Sequence, residues 1–113
     1  MRLDHVALTV SDREAAAAFY ARYFGLENRV HEDDHLLILA GQDGALLALS
    51  EGNVPDVPRT NHFGFRAESA ETVVSLRERF ARDGITELEF QDAGPVRVQV
   101  ADPSGNRVEA YAF

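Results

Sequence analysis

The chain has 113 residues, no cysteine and a formal net charge of −8, with a pI near 4.8. That length suits one domain with a modest core, and the acidic balance argues against nucleic-acid or anionic-membrane partners, which require a basic face. Without cysteine there are no disulfides, thiolate metal sites or thiol nucleophiles, and with no long apolar run or apolar leader a cytoplasmic protein without a membrane span is expected.

Residues 3–10 alternate with period two. Val6, Leu8 and Val10 form one face, and His5, Ala7 and Thr9 the other, as in a half-buried strand. Ser11, Asp12, Arg13 and Glu14 read as a capping box with Ser11 at the cap. The helix that follows runs to about Phe24, with Ala16, Phe19, Tyr20 and Tyr23 as its buried stripe and Gly25 as its left-handed stop. Strands are expected over 26–32, 35–40 and 45–50. Residues 51–60, with two prolines and a glycine, read as the one linker.

The same order then starts again. A strand is expected over 61–65, then a helix capped by Ser69 that carries Val73, Leu76 and Phe80 and ends at Gly84. Strands over 85–91, 96–101 and 107–112 follow. The turn before the last of these, Asp102-Pro103-Ser104-Gly105-Asn106, combines a φ-fixing proline, two side chains that bond backbone and a glycine free to take positive φ. In the final strand Val108, Ala110 and Ala112 share one face, leaving Arg107, Glu109 and Tyr111 on the other.

The pattern is βαβββ written twice, a tandem repeat. The expected fold is α+β: one domain over 1–113, with module one over about 1–53, a linker over about 51–60 and module two over about 60–113. The two modules would form a cupped, mixed sheet lining a cleft. His5 and His62 occupy equivalent first strands, and Ala48 follows Gly44 as Glu109 follows Gly105. A pseudo-twofold would gather positions 5, 48, 62 and 109 around one axis. Two imidazoles and a carboxylate with an open fourth place describe a catalytic metal site of nitrogen and oxygen donors, suited to Fe, Mn, Co, Ni or Zn. The competing reading makes the histidines ordinary polar residues and pairs Glu109 with Arg107 or Arg66. Strand parity puts Arg66, Arg97, Gln99, Arg107 and Tyr111 on the ligand face as candidate substrate contacts. Arg97 or Arg107 would suit a carboxylate or phosphate. His31 and His35 flank an acidic turn and read as solvated, and no residue stands out as a general base.

The segments His5–Asp12, Ala18–Tyr20, Phe24–Leu26, Asn61–His62 and Asp102–Glu109 resemble the vicinal oxygen chelate superfamily, the glyoxalase/bleomycin resistance protein/dioxygenase group, and the resemblance spans essentially the whole chain. It implies paired βαβββ modules, a metal cleft and a homodimer in which a site can be completed across subunits. Lactoylglutathione lyases and related epimerases of that group carry a fourth ligand at the place of Ala48. Extradiol dioxygenases and fosfomycin-resistance transferases use a His, His, Glu triad, matched here by His5, His62 and Glu109, with a tyrosine where this chain has Gln99.

The resemblance therefore implies a divalent-metal enzyme in which His5, His62 and Glu109 hold the ion, a water stands beside Ala48, and Gln99 orients a small oxygen-bearing substrate. Lyase, isomerase or thiol-transfer chemistry fits this arrangement. The alternatives are a non-catalytic dimer that sequesters an antibiotic or metabolite, as bleomycin-resistance proteins do, and an Fe(II) extradiol-type dioxygenase.

Overall fold

The computed structural model describes residues 1–113. Two compact units divide the chain, Met1–Asp56 and Val57–Phe113. The first contains β1 (His5–Val10), α1 (Arg13–Phe24), β2 (Asn28–Glu32), β3 (Leu37–Ala40) and β4 (Leu46–Glu51). The second contains β5 (Phe63–Arg66), α2 (Ala70–Arg82), β6 (Glu87–Gln91), β7 (Val96–Ala101) and β8 (Arg107–Ala112). The βαβββ order is thus present twice.

Each unit is one four-stranded mixed sheet with a helix on one face. The strand orders are β1-β4-β3-β2 and β5-β8-β7-β6. The first strand of each unit runs parallel to the last, and the remaining pairs are antiparallel. In the first unit Leu37, Leu39, Leu47 and Leu49 are buried on the side where α1 contributes Ala16, Phe19 and Tyr20. In the second, Val98, Val100, Val108 and Ala110 are buried with Val73, Leu76 and Phe80 of α2. This alternation leaves the opposite face of the second sheet for polar residues, while that of the first carries His5, Ala7 and Ala48 beside the apolar Ile38 and Leu46.

The helix ends follow local chemistry, with one correction. Asp12, not Ser11, caps α1: its Oδ1 accepts the backbone N–H groups of Glu14 (2.9 Å) and Ala15 (3.1 Å). Aspartate caps as well as serine, so which of two adjacent candidates takes the place depends on where the chain leaves β1. Ser69 caps α2 through the N–H of Thr72 (3.2 Å). Gly25 (φ 72°) and Gly84 (φ 73°) take the left-handed conformation just beyond the helices, where a Cβ would be strained. Tyr23 is only half-buried, so the stripe of α1 ends at Tyr20.

Both units share a register irregularity. β2 shifts between Arg29 and His31, and β6 between Glu87 and Glu89. An inserted residue moves the side chains beyond it to the other face. Arg29 accordingly reaches Glu14 of α1, whereas His31 stands opposite Ile38. Glu87 pairs with Arg77 of α2 (2.6 Å), whereas Glu89 stands opposite Gln99 on the face away from α2.

Candidate functional site

The register of the second sheet sets Gly64, Glu109, Gln99 and Glu89 side by side, one from each strand, on the face away from α2. Cross-strand neighbours point the same way, so the row is a line of polar side chains beside one glycine. The glycine leaves space at the carboxylate: a Cβ at position 64 would stand 3.6 Å from Glu109 Oε2. The buried turn acid Asp102 holds the start of β8. Its Oδ1 accepts the N–H groups of Ser104 (2.8 Å) and Asn106 (2.9 Å), and its Oδ2 accepts Asn106 Nδ2 (3.1 Å).

Arg97 reaches into this row. Its Nη1 is 3.0 Å from Glu109 Oε1 and its Nη2 is 3.3 Å from Glu89 Oε1. Glu109, and after it Glu89, push the guanidinium pKa above its ordinary value. Gln99 is buried at 1% exposure, and its Oε1 accepts Arg107 Nη1 at 2.8 Å. A cavity of about 630 Å³ opens over these groups, lined by Arg59, Thr60, His62, Glu89, Arg97, Gln99 and Glu109, all in the second unit.

His62 lies just outside β5, after a turn in which Asn61 N donates to Pro58 O (2.9 Å). Its Nδ1 is 3.0 Å from Thr60 O. A carbonyl only accepts, so Nδ1 carries the proton and a neutral ring keeps its lone pair on Nε2. That Nε2 is 3.8 Å from Glu109 Oε2. His5 repeats the arrangement at the start of β1. Its Nδ1 donates to Asp4 Oδ1 (2.8 Å), a bond that holds the Asp4 carboxyl below the usual range. Metal-binding histidines characteristically have the far ring nitrogen tied to a carbonyl or carboxylate in this way. Nitrogen and oxygen donors of this kind suit a divalent cation. His62 and Glu109 come together in the second unit and His5 stands in the first, and no three such side chains are gathered at one place.

The other expected residues fall as follows. Arg97 and Gln99 line the cavity; Arg66, Arg107 and Tyr111 do not. Arg107 acts on Gln99. Arg66 lies over the Phe113 ring (5.6 Å), against which Tyr111 packs edge-on (5.9 Å). Ala48, between Ala7 and Ile38, supplies no donor atom. Glu109 is paired, but with Arg97 rather than Arg107 or Arg66. The His31 cluster is a turn: Asp33 Oδ1 accepts His35 N (2.8 Å) and Leu36 N (2.9 Å), and Oδ2 meets His31 Nε2 (2.8 Å). Sequence reasoning missed Arg59, Thr60 and Glu89. The strand alternation could have offered Glu89, but only the register irregularity separates it from Glu87; Arg59 and Thr60 sit in the linker and carry no local signal.

Residues 2–110 match the family model of the Glyoxalase/Bleomycin resistance protein/Dioxygenase superfamily. The chain belongs to that superfamily. Among relatives of this glyoxalase-superfamily chain, the trivalent organoarsenical cleaving enzyme of Bacillus sp. (strain MD1) is 27% identical over 98% of the chain and 73% of its own length. A possible glyoxalase from Bacillus cereus is 32% identical, with a TM-score of 0.85 and 97% of each chain covered. The fosfomycin resistance protein FosX from Listeria monocytogenes, complexed with Mn(II) and sulfate ion, superposes with a TM-score of 0.84 at 20% identity over 98% of this chain and 89% of that one. The last likeness is one of fold. No helix is long and apolar enough to cross a membrane.

Proposed function

We propose that the chain is a divalent-metal-dependent enzyme of the vicinal oxygen chelate type, working as a cytoplasmic homodimer on a small oxygen-bearing substrate. His62 and Glu109 would be metal ligands, with His5 contributed by a first unit. The observation that carries this reading is shared by both histidines: each Nδ1 is tied to an acceptor, leaving Nε2 as the donor. A bound divalent ion would act as a Lewis acid on substrate oxygens. Gln99 would orient the substrate by hydrogen bonding, and Arg97 would balance the carboxylates of Glu89 and Glu109.

The oxygen-bearing substrate is favoured over the arsenical named for the relatives. Trivalent arsenic is a soft centre that takes thiolates, and this chain has no cysteine. Lyase, isomerase and thiol-transfer chemistry, and Fe(II) oxygen activation, differ in which ion and co-reactant they require. The Mn(II) complex of the Listeria protein makes Mn(II) the first ion to test. Elemental analysis of protein purified without added metal, followed by titration with Mn(II), Fe(II), Co, Ni and Zn, tests the reading. One equivalent per site that is lost in Glu109→Gln supports it, and no bound ion from any of the five overturns it.

A second reading, ligand sequestration without turnover, is favoured by the Arg97–Glu109 ion pair, which satisfies the carboxylate without a metal. Ligand binding that survives chelator and the His5→Ala, Glu109→Ala pair would select it.

A further inference from the structure

Gln99 is the buried polar group that the protein leaves half-used. Its Oε1 accepts from Arg107 Nη1 at 2.8 Å, and a guanidinium only donates, so the amide cannot be flipped without losing that bond. The Nε2 has no protein acceptor. No sealed side-chain nitrogen or oxygen lacks a partner, so this nitrogen keeps an opening to solvent, and Gln99 is part of the cavity lining. A nearly buried amide N–H in a cavity lining calls for an acceptor atom on whatever fills it.

The charge of the cavity narrows what that acceptor belongs to. Arg59 and Arg97 balance Glu89 and Glu109, leaving the lining formally neutral with His62 uncharged. The two glutamates are both engaged by Arg97, whereas Arg59 makes no ion pair. A divalent ion at His62 and Glu109 would leave two units of positive charge with an uncommitted guanidinium and a fixed amide donor nearby. We propose that the ligand of this pocket is a small organic oxyanion, a phosphonate or carboxylate, whose oxygens are received by Gln99 Nε2 and Arg59, with Arg107 as the positioning residue behind Gln99. The charge argument rests on the metal reading above; the Gln99 and Arg59 argument does not.

Calorimetric titration of the full chain decides the matter, first with Mn(II) alone, then with methylphosphonate, acetate and uncharged 1,2-propanediol in the presence and absence of Mn(II). Methylphosphonate and acetate are expected to bind, 1,2-propanediol to bind at least about tenfold more weakly, and Mn(II) to tighten the anions. Tighter binding of methylphosphonate than of acetate identifies a dianionic headgroup. Arg59→Ala and Gln99→Leu should each weaken methylphosphonate about tenfold or more, with Mn(II) affinity retained in Arg59→Ala. Mn(II) binding with equal affinity for the anions and the diol, or anion affinity unmoved by Arg59→Ala, overturns the inference while leaving the metal reading intact. Arg59-dependent anion binding without any Mn(II) binding overturns the metal reading and keeps the oxyanion site. Failure of both ligands to bind overturns both.

Discussion

Arg97 and Glu109, on adjacent strands, form a 3.0 Å ion pair that is mostly buried on the Glu109 side, whose side chain is 13% exposed. The guanidinium holds Oε1, while Oε2 faces His62 Nε2 at 3.8 Å. One carboxylate therefore stands between an internal cation and the imidazole with which it would share an external one.

Arg97 should compete with the metal. Arg97→Gln removes a positive charge and frees Oε1, so Mn(II) affinity is expected to rise by about tenfold, equivalent to about 1.4 kcal/mol. Calorimetry on the variant and the parent protein checks this. An unchanged affinity would mean that Glu109 is not a ligand.

Metal binding should stabilise the fold. At a free ion concentration of about one hundred times Kd, the linkage gain is about 2.7 kcal/mol, or on the order of 10 °C in Tm for a domain of this size. His62→Ala and Glu109→Gln should abolish most of the shift, and EDTA should reverse it. A thermal melt with and without Mn(II) reads the result.

The turn at Asp102 should matter more than its distance from the cavity suggests. Asp102→Ala strips the acceptor from the backbone N–H groups of Ser104 and Asn106 at a buried position, a loss of about 2–3 kcal/mol. Urea unfolding measures it. Because the turn delivers β8, the variant should also weaken metal binding, which Asp102→Asn should partly rescue.

The Asp33 turn sets an acid dependence. Hydrogen bonds from His35 N, then His31 and Leu36 N, hold its carboxyl at about 2, against an ordinary 3.8. A depressed folded-state pKa stabilises fully above the ordinary value, and the contribution disappears as pH falls from about 3.8 through about 2. Asp33→Asn should flatten the stability profile in that window. An NMR titration of the Asp33 side-chain carboxyl carbon showing a midpoint near the ordinary value would sink the prediction.

Much of this protein could be read from local pattern. Period-two alternation placed β7 and β8 at their observed bounds, helical spacing picked out Val73, Leu76 and Phe80, and Gly25 and Gly84 stop their helices because only glycine takes that conformation cheaply. The tandem repeat follows from the order of such signals, while the family resemblance rests on particular motifs such as His5–Asp12, Asn61–His62 and Asp102–Glu109. Each is a property of a few neighbouring residues, which is why the chain alone displays it.

Pairing between distant strands belongs to the tertiary structure. Glu87 and Glu89 look alike in sequence, yet one register irregularity sends the first to α2 and the second to the cavity. Arg107 and Arg97 both looked like substrate contacts, and only cross-strand neighbours decide that one clamps Gln99 while the other pairs with Glu109. The cap is a local matter: Asp12 rather than Ser11 takes the N–H groups of Glu14 and Ala15, a choice between adjacent residues that cap equally well. Alternation tells which face a side chain takes. Which partner it meets there depends on register, a long-range quantity carried by no single stretch of the chain.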